Sequence, residues 1–503
     1  MKAHREVVRG AIWNLLGYAV AGIGALILPL LLIKNIGREA YGVYSYLTLL
    51  LTQAYLLLGG LGESLAYYLA NFRDDAAYWI RHSLGAALFT GGVGFLLWQL
   101  HGPETLITLL GLGAPWQTLL IEMRTLAGLA LIGHEIAILL GWVPLAMGHR
   151  RSLVLLPLGQ LIMQLVLPIG AVVLDPENLR LLFKVSLYGG IGLGAYMWSA
   201  ISLRMGQALW PAFSWRVWST LWKRGLWQSL AQWNGLLLNL FERTIIGRWV
   251  SLSYMGLYSV GQYFSSKAFQ VMYKATESLL PAFGSEVSIW RRHLRLGQTL
   301  WFIMLTSTPL LILLYGTGLL LLPYAVKSWD ASEMRLWAGV VLSTQFLFIS
   351  APLMPFFIGS GKFSIFYFYS VCIASLQIGA TLWLVPRGYY YWAPAISTVG
   401  GLSFLTMMVF RKGIRCVLWR SWVVPCLVRL IMTWGIALGP LVSGLGSDSL
   451  LHPGFSLLAL LSFLLGERYG FLWPRKRDFL IQVLQAFGGF LRARLMIIPG
   501  IRS

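Results

Sequence analysis

Apolar stretches of about 20 residues, the length that crosses a bilayer as a helix, follow one another along the whole chain, separated only by short polar breaks. The pattern predicts an all-α, polytopic membrane protein of about 14 transmembrane helices. Spans 1–6 cover roughly residues 11–34, 42–70, 80–100, 118–147, 152–174 and 181–204. Spans 7–12 cover 225–248, 256–281, 298–322, 335–358, 363–385 and 392–410, and a final pair covers 421–444 and 454–473. The predicted organisation is therefore a cytoplasmic N-terminus (1–10), an N-lobe (11–204), an amphipathic linker (205–224) and a C-lobe (225–410). Helices 13–14 (421–473) and a basic amphipathic tail (474–503) complete it.

Composition sharpens this picture. Hydrophobic residues make up 57% and charged residues 11%, less than half the charged share of a soluble domain. The mean hydropathy is +0.70. Lys2, Arg5 and Arg9 precede the first apolar run, which is too long for a signal h-region and lacks a small-x-small cleavage site, so it reads as a retained helix. A formal charge of +21 would suggest nucleic acid in a soluble protein, but no nucleic-acid partner is expected here. Most Lys and Arg fall at the N-terminus, in the tail and in alternate loops. By the positive-inside rule, both termini then lie on the cytoplasmic side of a bacterial inner membrane. Cys372, Cys416 and Cys426 form no CxxC pair, and neither a metal site nor a cofactor motif is read from the sequence.

Two landmarks share one offset. Gly42, within Tyr41–Ser45, and Gly256, within Met255–Ser259, are 214 positions apart, and Gly148 and Gly361, at the ends of spans 4 and 10, are 213 apart. Six helices separate the copies, so a parallel repeat of two six-helix lobes is expected, with a site between them.

Ionisable groups inside a bilayer are costly and point to function. In span 8, Tyr263, Lys267, Gln270, Lys274 and Glu277 fall on one helical face. Span 7 carries Gln228, Gln232, Asn239 and Glu242, with Arg243 beside them. Span 4 places Arg124 and Glu135 on one face, and span 2 adds Ser45, Thr48, Thr52 and Tyr55. Spans 2, 4, 7 and 8 are therefore expected to line one cavity. The bland readings are that Lys274 and Glu277 pair structurally, that Arg124 and Glu135 pair with other helices, that Arg243, Lys184 and Arg429 snorkel to headgroups, and that His134 is a packed polar residue. Trp215, Trp218 and Trp222 share a face beside Lys223 and Arg224, which suits a helix at the membrane surface. Gly190-x-Gly192-x-Gly194 has no strand before it and reads as a helix-packing motif, not a phosphate loop.

The segments Arg9–Gly17 and Ile36–Gly42, the run Asn239–Gly247 followed by Met255–Tyr258, and the helix ends Met147–Arg150 and Ser360–Lys362 together resemble the polysaccharide (O-antigen type) flippases. These belong to the multidrug/oligosaccharidyl-lipid/polysaccharide exporter superfamily. The resemblance implies a non-enzymatic transporter with a central cavity open alternately to each side and a polyprenyl-pyrophosphate oligosaccharide as cargo. Membrane lipids, a polysaccharide polymerase and chain-length machinery are its implied partners. On this reading Lys267, Lys274 and Arg124 meet the anionic head, with Tyr263, Gln270, Gln232, Asn239 and Tyr55 as further cavity residues. Glu242, Glu135 and Glu277 are charge partners or coupling sites; Glu242 stands where the family suggests Asp. A multidrug/cation antiporter of the same superfamily is the alternative, and a membrane polymerase or ligase a more distant one.

Overall fold

The computed structural model describes residues 28–52, 60–72, 74–147, 154–277, 289–326, 330–351 and 363–390, with single residues or short pieces at 152, 356, 431, 433–436 and 458. These residues are helical, with no strand among them. Helix α1 is described over 28–36, followed by α2 (Arg38–Thr52), α3 (Leu61–Asn71), α4 (Ala76–Leu110), α5 (Ala114–Glu122) and α6 (Arg124–Ala146). Then come α7 (Leu155–Leu174), α8 (Leu179–Met205), α9 (Trp215–Trp249) and α10 (Leu252–Glu277). Helices α11 (Ile289–Ala325), α12 (Ala331–Ser350) and α13 (Phe363–Leu384) complete the set. Among the described residues five helices are long and apolar enough to cross a membrane. Predicted span 12, most of spans 1, 13 and 14, and the tail lie outside the described residues.

Several boundaries differ from the hydropathy reading, each for a local reason. The predicted continuous span 42–70 is interrupted before α3, where Gly60 caps the helix in the left-handed region at φ 71°, a conformation that glycine adopts without strain. The predicted span 118–147 breaks at Met123, between α5 and α6. The predicted linker and span 7 are one helix instead: Ser214 caps α9 by accepting from the Val217 N–H at 3.5 Å. No proline intervenes between the Trp-rich start and the apolar end, and the helix runs through Gly225 and Gly235. The three tryptophans do share a face, with Trp215 stacked on Trp218 at 4.7 Å and Trp218 at 5.6 Å from Trp222.

Two groups of helices emerge. The first is α3, α4, α6, α7 and α8, with a core that includes Leu84, Ala137, Leu140 and Met197. Glycines set its spacing: a Cβ on Gly133 would overlap the Gly190 carbonyl oxygen, and one on Gly194 would lie 2.6 Å from that of Gly133. The glycine triplet that superficially suggests a phosphate loop is thus the seam between α6 and α8. The second group is α9 to α13, in which α9 packs on α13, and α12 on both α10 and α11. Outward-facing apolar residues such as Leu96, Leu97, Leu100, Val173 and Leu174 are exposed, as lipid-facing positions require.

Helix α2 bridges the groups by packing along α10. The contact is reciprocal. A Cβ on Gly42 would meet the Leu252 carbonyl oxygen at 2.7 Å, and a Cβ on Gly256 would overlap that of Arg38. Residues 38 and 252, like 42 and 256, differ by 214 positions, so each helix presents the same position to the other. Mutual contacts of this kind are the mark of two-fold packing.

Gly256→Ala should therefore destabilise the full-length protein by about 1–3 kcal/mol through forced separation of α2 from α10. Gly170→Ala, at a helical glycine with nothing within 4 Å of an added Cβ, should leave thermal unfolding in detergent unchanged or slightly improved.

Candidate functional site

The interface between the two groups is closed at the end where α2, α10 and α12 begin. There the Arg38 guanidinium donates to the Glu333 carboxylate. Glu333 occupies the first turn of α12, fixed by a capping box in which Asp330 accepts from the Glu333 N–H and Glu333 accepts from the Asp330 N–H. Tyr254 donates to Ser332 at 3.1 Å, and the Trp116 indole donates to Glu39 at 3.0 Å. Burial pushes the Glu333 carboxyl up from its usual range, while Arg38 pulls it the other way. Burial would also raise Asp330, but hydrogen bonds from Ser332 and the Glu333 N–H, with Arg38 nearby, hold it below its usual range.

Deeper along the same interface lies a buried polar network on α9. Glu242 and Arg243 are consecutive, so their side chains diverge by about 100° around the helix. Glu242 turns into the second group, accepting from the Tyr258 hydroxyl and from Gln377 Nε2 at 2.5 Å. Gln262 Nε2 in turn donates to the Tyr258 oxygen at 2.8 Å. Arg243 turns onto α2, donating to the Ser45 carbonyl at 3.3 Å, while its Nε has no hydrogen-bond partner. Tyr46 on α2 meets Thr244 at 2.8 Å. The alternative reading, in which Arg243 snorkels to headgroups, does not fit its burial: only 6% of the residue is exposed.

Helix α10 divides its faces. Phe264 packs edge-on against Trp337, and Ser265 is hydrogen-bonded to Thr344, both on α12. Tyr263 and Lys267 lie on the half-buried side, the ammonium 5.5 Å from the Tyr263 ring centre. Asn239 is half-buried on α9. Residues Gln270, Lys274, Glu277 and Gln232 fall on helical backbone, but their side chains lie outside the described set, as does Tyr55 altogether. The hydroxyls of Ser45, Thr48 and Thr52 bond carbonyls of their own helix.

Arg124 and Glu135 are not paired. Arg124 binds Glu104 and donates to the Gln99 carbonyl at 3.1 Å, which ties the start of α6 to α4. Glu135 is buried between α6 and α4. Lys184 and Arg180 flank Glu122 at 3.1 and 3.4 Å, and His134 is packed against α8 and Gln164. Sequence reading missed Gln377 and Glu333 as partners. The capping pattern Asp330-x-x-Glu333 is visible in the sequence, whereas nothing local announces Gln377.

These helices define an all-helical fold that solved structures share. No family model matches the sequence, and no curated protein does. Among solved structures, the chain is similar to a lipid II flippase MurJ in an inward closed conformation, with a TM-score of 0.70 and 11% identity, covering 93% of this chain and 100% of that one. It is also similar to an inward-facing multidrug resistance MATE family transporter of the MOP superfamily, with a TM-score of 0.58 and 14% identity, covering 80% of this chain and 98% of that one. The MATE multidrug transporter DinF-BH gives a TM-score of 0.57 at 15% identity, covering 81% of this chain and 95% of that one. The chain thus shares its fold with these structures, one of which is described as a member of the MOP superfamily.

The ion pair at the closed end is asymmetric, since the Glu333 side chain is 6% exposed and that of Arg38 18%. Arg38→Ala should cost about 1–3 kcal/mol by leaving a buried carboxylate without its partner. Glu333→Gln, which removes the buried charge, should cost less. Because the Glu333 carboxyl is raised in the fold, its ionisation opposes stability as pH rises. The Arg38→Ala deficit should therefore be largest near neutral pH and shrink on acidification. Thermal unfolding of the full chain across pH measures both effects.

Proposed function

We propose that the protein flips a polyprenyl-pyrophosphate-linked oligosaccharide, an O-antigen or exopolysaccharide repeat unit, from the inner to the outer leaflet of a bacterial cytoplasmic membrane. The observation that carries this reading is the half-buried cation on α10: Lys267 lies over Tyr263, on the side of the helix that α12 leaves uncovered. A pyrophosphate entering the membrane must exchange its hydration for protein donors, and an ammonium in a low-dielectric site is a strong one. Tyr263 offers an aromatic face to the sugar. Lys274, two turns further along the α10 backbone, is the second proposed contact for the head.

The reciprocal Gly42–Gly256 contact supports two six-helix lobes related by a two-fold axis, which rock against each other in alternating access. In this state the access route is closed at the Arg38–Glu333 end, which the charge asymmetry of the loops assigns to the outside. Arg124 is committed to Glu104 and leaves the head contact to the α10 lysines. Glu242 and Glu135, buried with polar partners but outside any ion pair among the described residues, remain the coupling candidates. An antiporter of multidrug cations has the same fold behind it, but a cationic face repels such cargo.

Replacing Lys267 and Lys274 together by Gln keeps side-chain length and removes the charge. In reconstituted vesicles, flipping of a polyprenyl-pyrophosphate oligosaccharide, normalised to inserted protein, should fall by at least tenfold with abundance unchanged. Wild-type flipping by the double variant would overturn the assignment, and export of an organic cation by the unaltered protein would favour the antiporter.

A further inference from the structure

Among the described residues, Glu135 of the first helix group is in no ion pair. Its side chain is fully buried. Oε2 accepts a hydrogen bond from Thr90 on α4 at 3.3 Å, and Oε1 has no partner. Helix α4 closes directly over it at Gly91, where an added Cβ would lie 2.8 Å from Oε2. The neighbouring charges are engaged elsewhere. Arg124 is drawn to Glu104, while Arg180 and Lys184 flank Glu122. His134, the adjacent residue, points to α8, with Gln164 at 3.3 Å from its Nδ1. Residues 83–100 of α4, all of α7 and residues 185–203 of α8 carry no charged side chain. Their tyrosines, Tyr188 and Tyr196, are respectively exposed and packed on Gly159. From α2, Tyr44 is bonded to Ser186. On α9, the basic residues Arg216, Lys223 and Arg224 are exposed.

An ionised carboxylate in such a place is untenable at rest. Removing it from water costs several kcal/mol, and one hydroxyl donor does not replace its hydration. A hard metal cation does not resolve this, because it takes about six oxygen ligands, and Glu135 and Thr90 supply only three side-chain oxygens. A proton does resolve it, since the neutral acid needs only an acceptor for its O–H, and the Thr90 oxygen 3.3 Å from Oε2 serves when the single Thr90 hydrogen goes to the Ala86 carbonyl at 3.0 Å.

We propose that Glu135 is a proton-binding site inside the first helix group, occupied while α4 and α6 are packed together and emptied when they separate. Release gives the carboxylate and a proton delivered to water, so it requires water to enter between the two helices. Gly91 lets α4 close over the carboxyl group, and closure excludes the water that an ionised group would need, so proton occupancy and closure of the α4–α6 seam are one event. The consequence for transport, a proton exchanged once per opening of this seam, rests on the transporter reading; the protonation itself does not.

The test is infrared difference spectroscopy of the full-length protein in lipid vesicles. At neutral pH the wild type should show the carbonyl stretch of a protonated carboxyl group that Glu135→Gln lacks. That band should be indifferent to replacing choline chloride by sodium chloride. Thr90→Ala should keep the band and shift its frequency by removing the hydrogen-bond partner, which decides the matter even if Glu135→Gln inserts poorly. Absence of a Glu135-dependent band, a band unmoved in Thr90→Ala, or a band erased by sodium would each overturn the proposal. If vesicles of the unaltered protein flip no polyprenyl-pyrophosphate oligosaccharide but keep the band, the cargo reading fails and the proton site stands.

Discussion

Helices surrounded by lipid gain little by burying apolar surface against one another, because the acyl chains they displace are as apolar as Leu. What distinguishes one packing from another is how closely backbones approach. In this protein that approach is set by glycine. Gly133, Gly190 and Gly194 bring α6 and α8 together, and Gly42 and Gly256 bring α2 onto α10. The second contact carries more of the architecture, because it joins the two helix groups and aligns everything beside it: the Arg38–Glu333 pair, the Tyr46–Thr244 bond and the reach of Arg243 to the Ser45 carbonyl. A methyl group's thickness at Gly42 or Gly256 would displace all three.

The charged residues then divide by how they are satisfied. Those near helix ends are paired, as with Arg124 and Glu104 or Lys184 and Glu122. Those deep in the bundle are not held by ion pairs among the described residues. Glu242 is held by a phenol and an amide, Glu135 by one hydroxyl, and Arg243 by a backbone carbonyl. Neutral partners satisfy a buried charge less completely than an opposite charge does, and they let it change state without stranding a counter-ion. Such an arrangement suits groups whose environment alternates during a cycle, whereas end-pairs suit fixed scaffolding.

The helical character of the chain was legible from hydropathy, and so was the packing role of the glycine triplet, since neither needs tertiary information. The shared offset of Gly42 and Gly256 was legible too, although nothing in the sequence said that the two glycines would face each other. Side-chain pairing was the illegible part. Periodicity put Arg124 and Glu135 on one face, but a face says only which direction a side chain leaves the helix, and Glu104 reaches Arg124 from α4. A headgroup anchor stayed open as a reading of Arg243 because its burial depends on α2 lying across it. The break at Met123 escaped notice for a different reason: its signal is a local change of backbone direction within an apolar run, which hydropathy averages away.

The continuity of α9 has a mechanical consequence. At 35 residues it is about 50 Å long, and it carries the Trp215–Trp222 face near one end and the Glu242–Arg243 pair near the other. A flexible linker would isolate these ends from each other; a single helix fixes their angular phase. Near its start α9 touches α3, through the Ser64 hydroxyl on the Leu221 carbonyl and the Arg224 guanidinium over Tyr67. Near its end it touches α13 through Glu242 and Gln377. The helix therefore acts as an axle between the two groups, and any twist applied to the tryptophan face is delivered as rotation at the buried carboxylate. Adding or removing one residue along the shaft would turn the two ends by about 100° relative to each other, so its length is constrained by phase as firmly as its composition is by hydropathy.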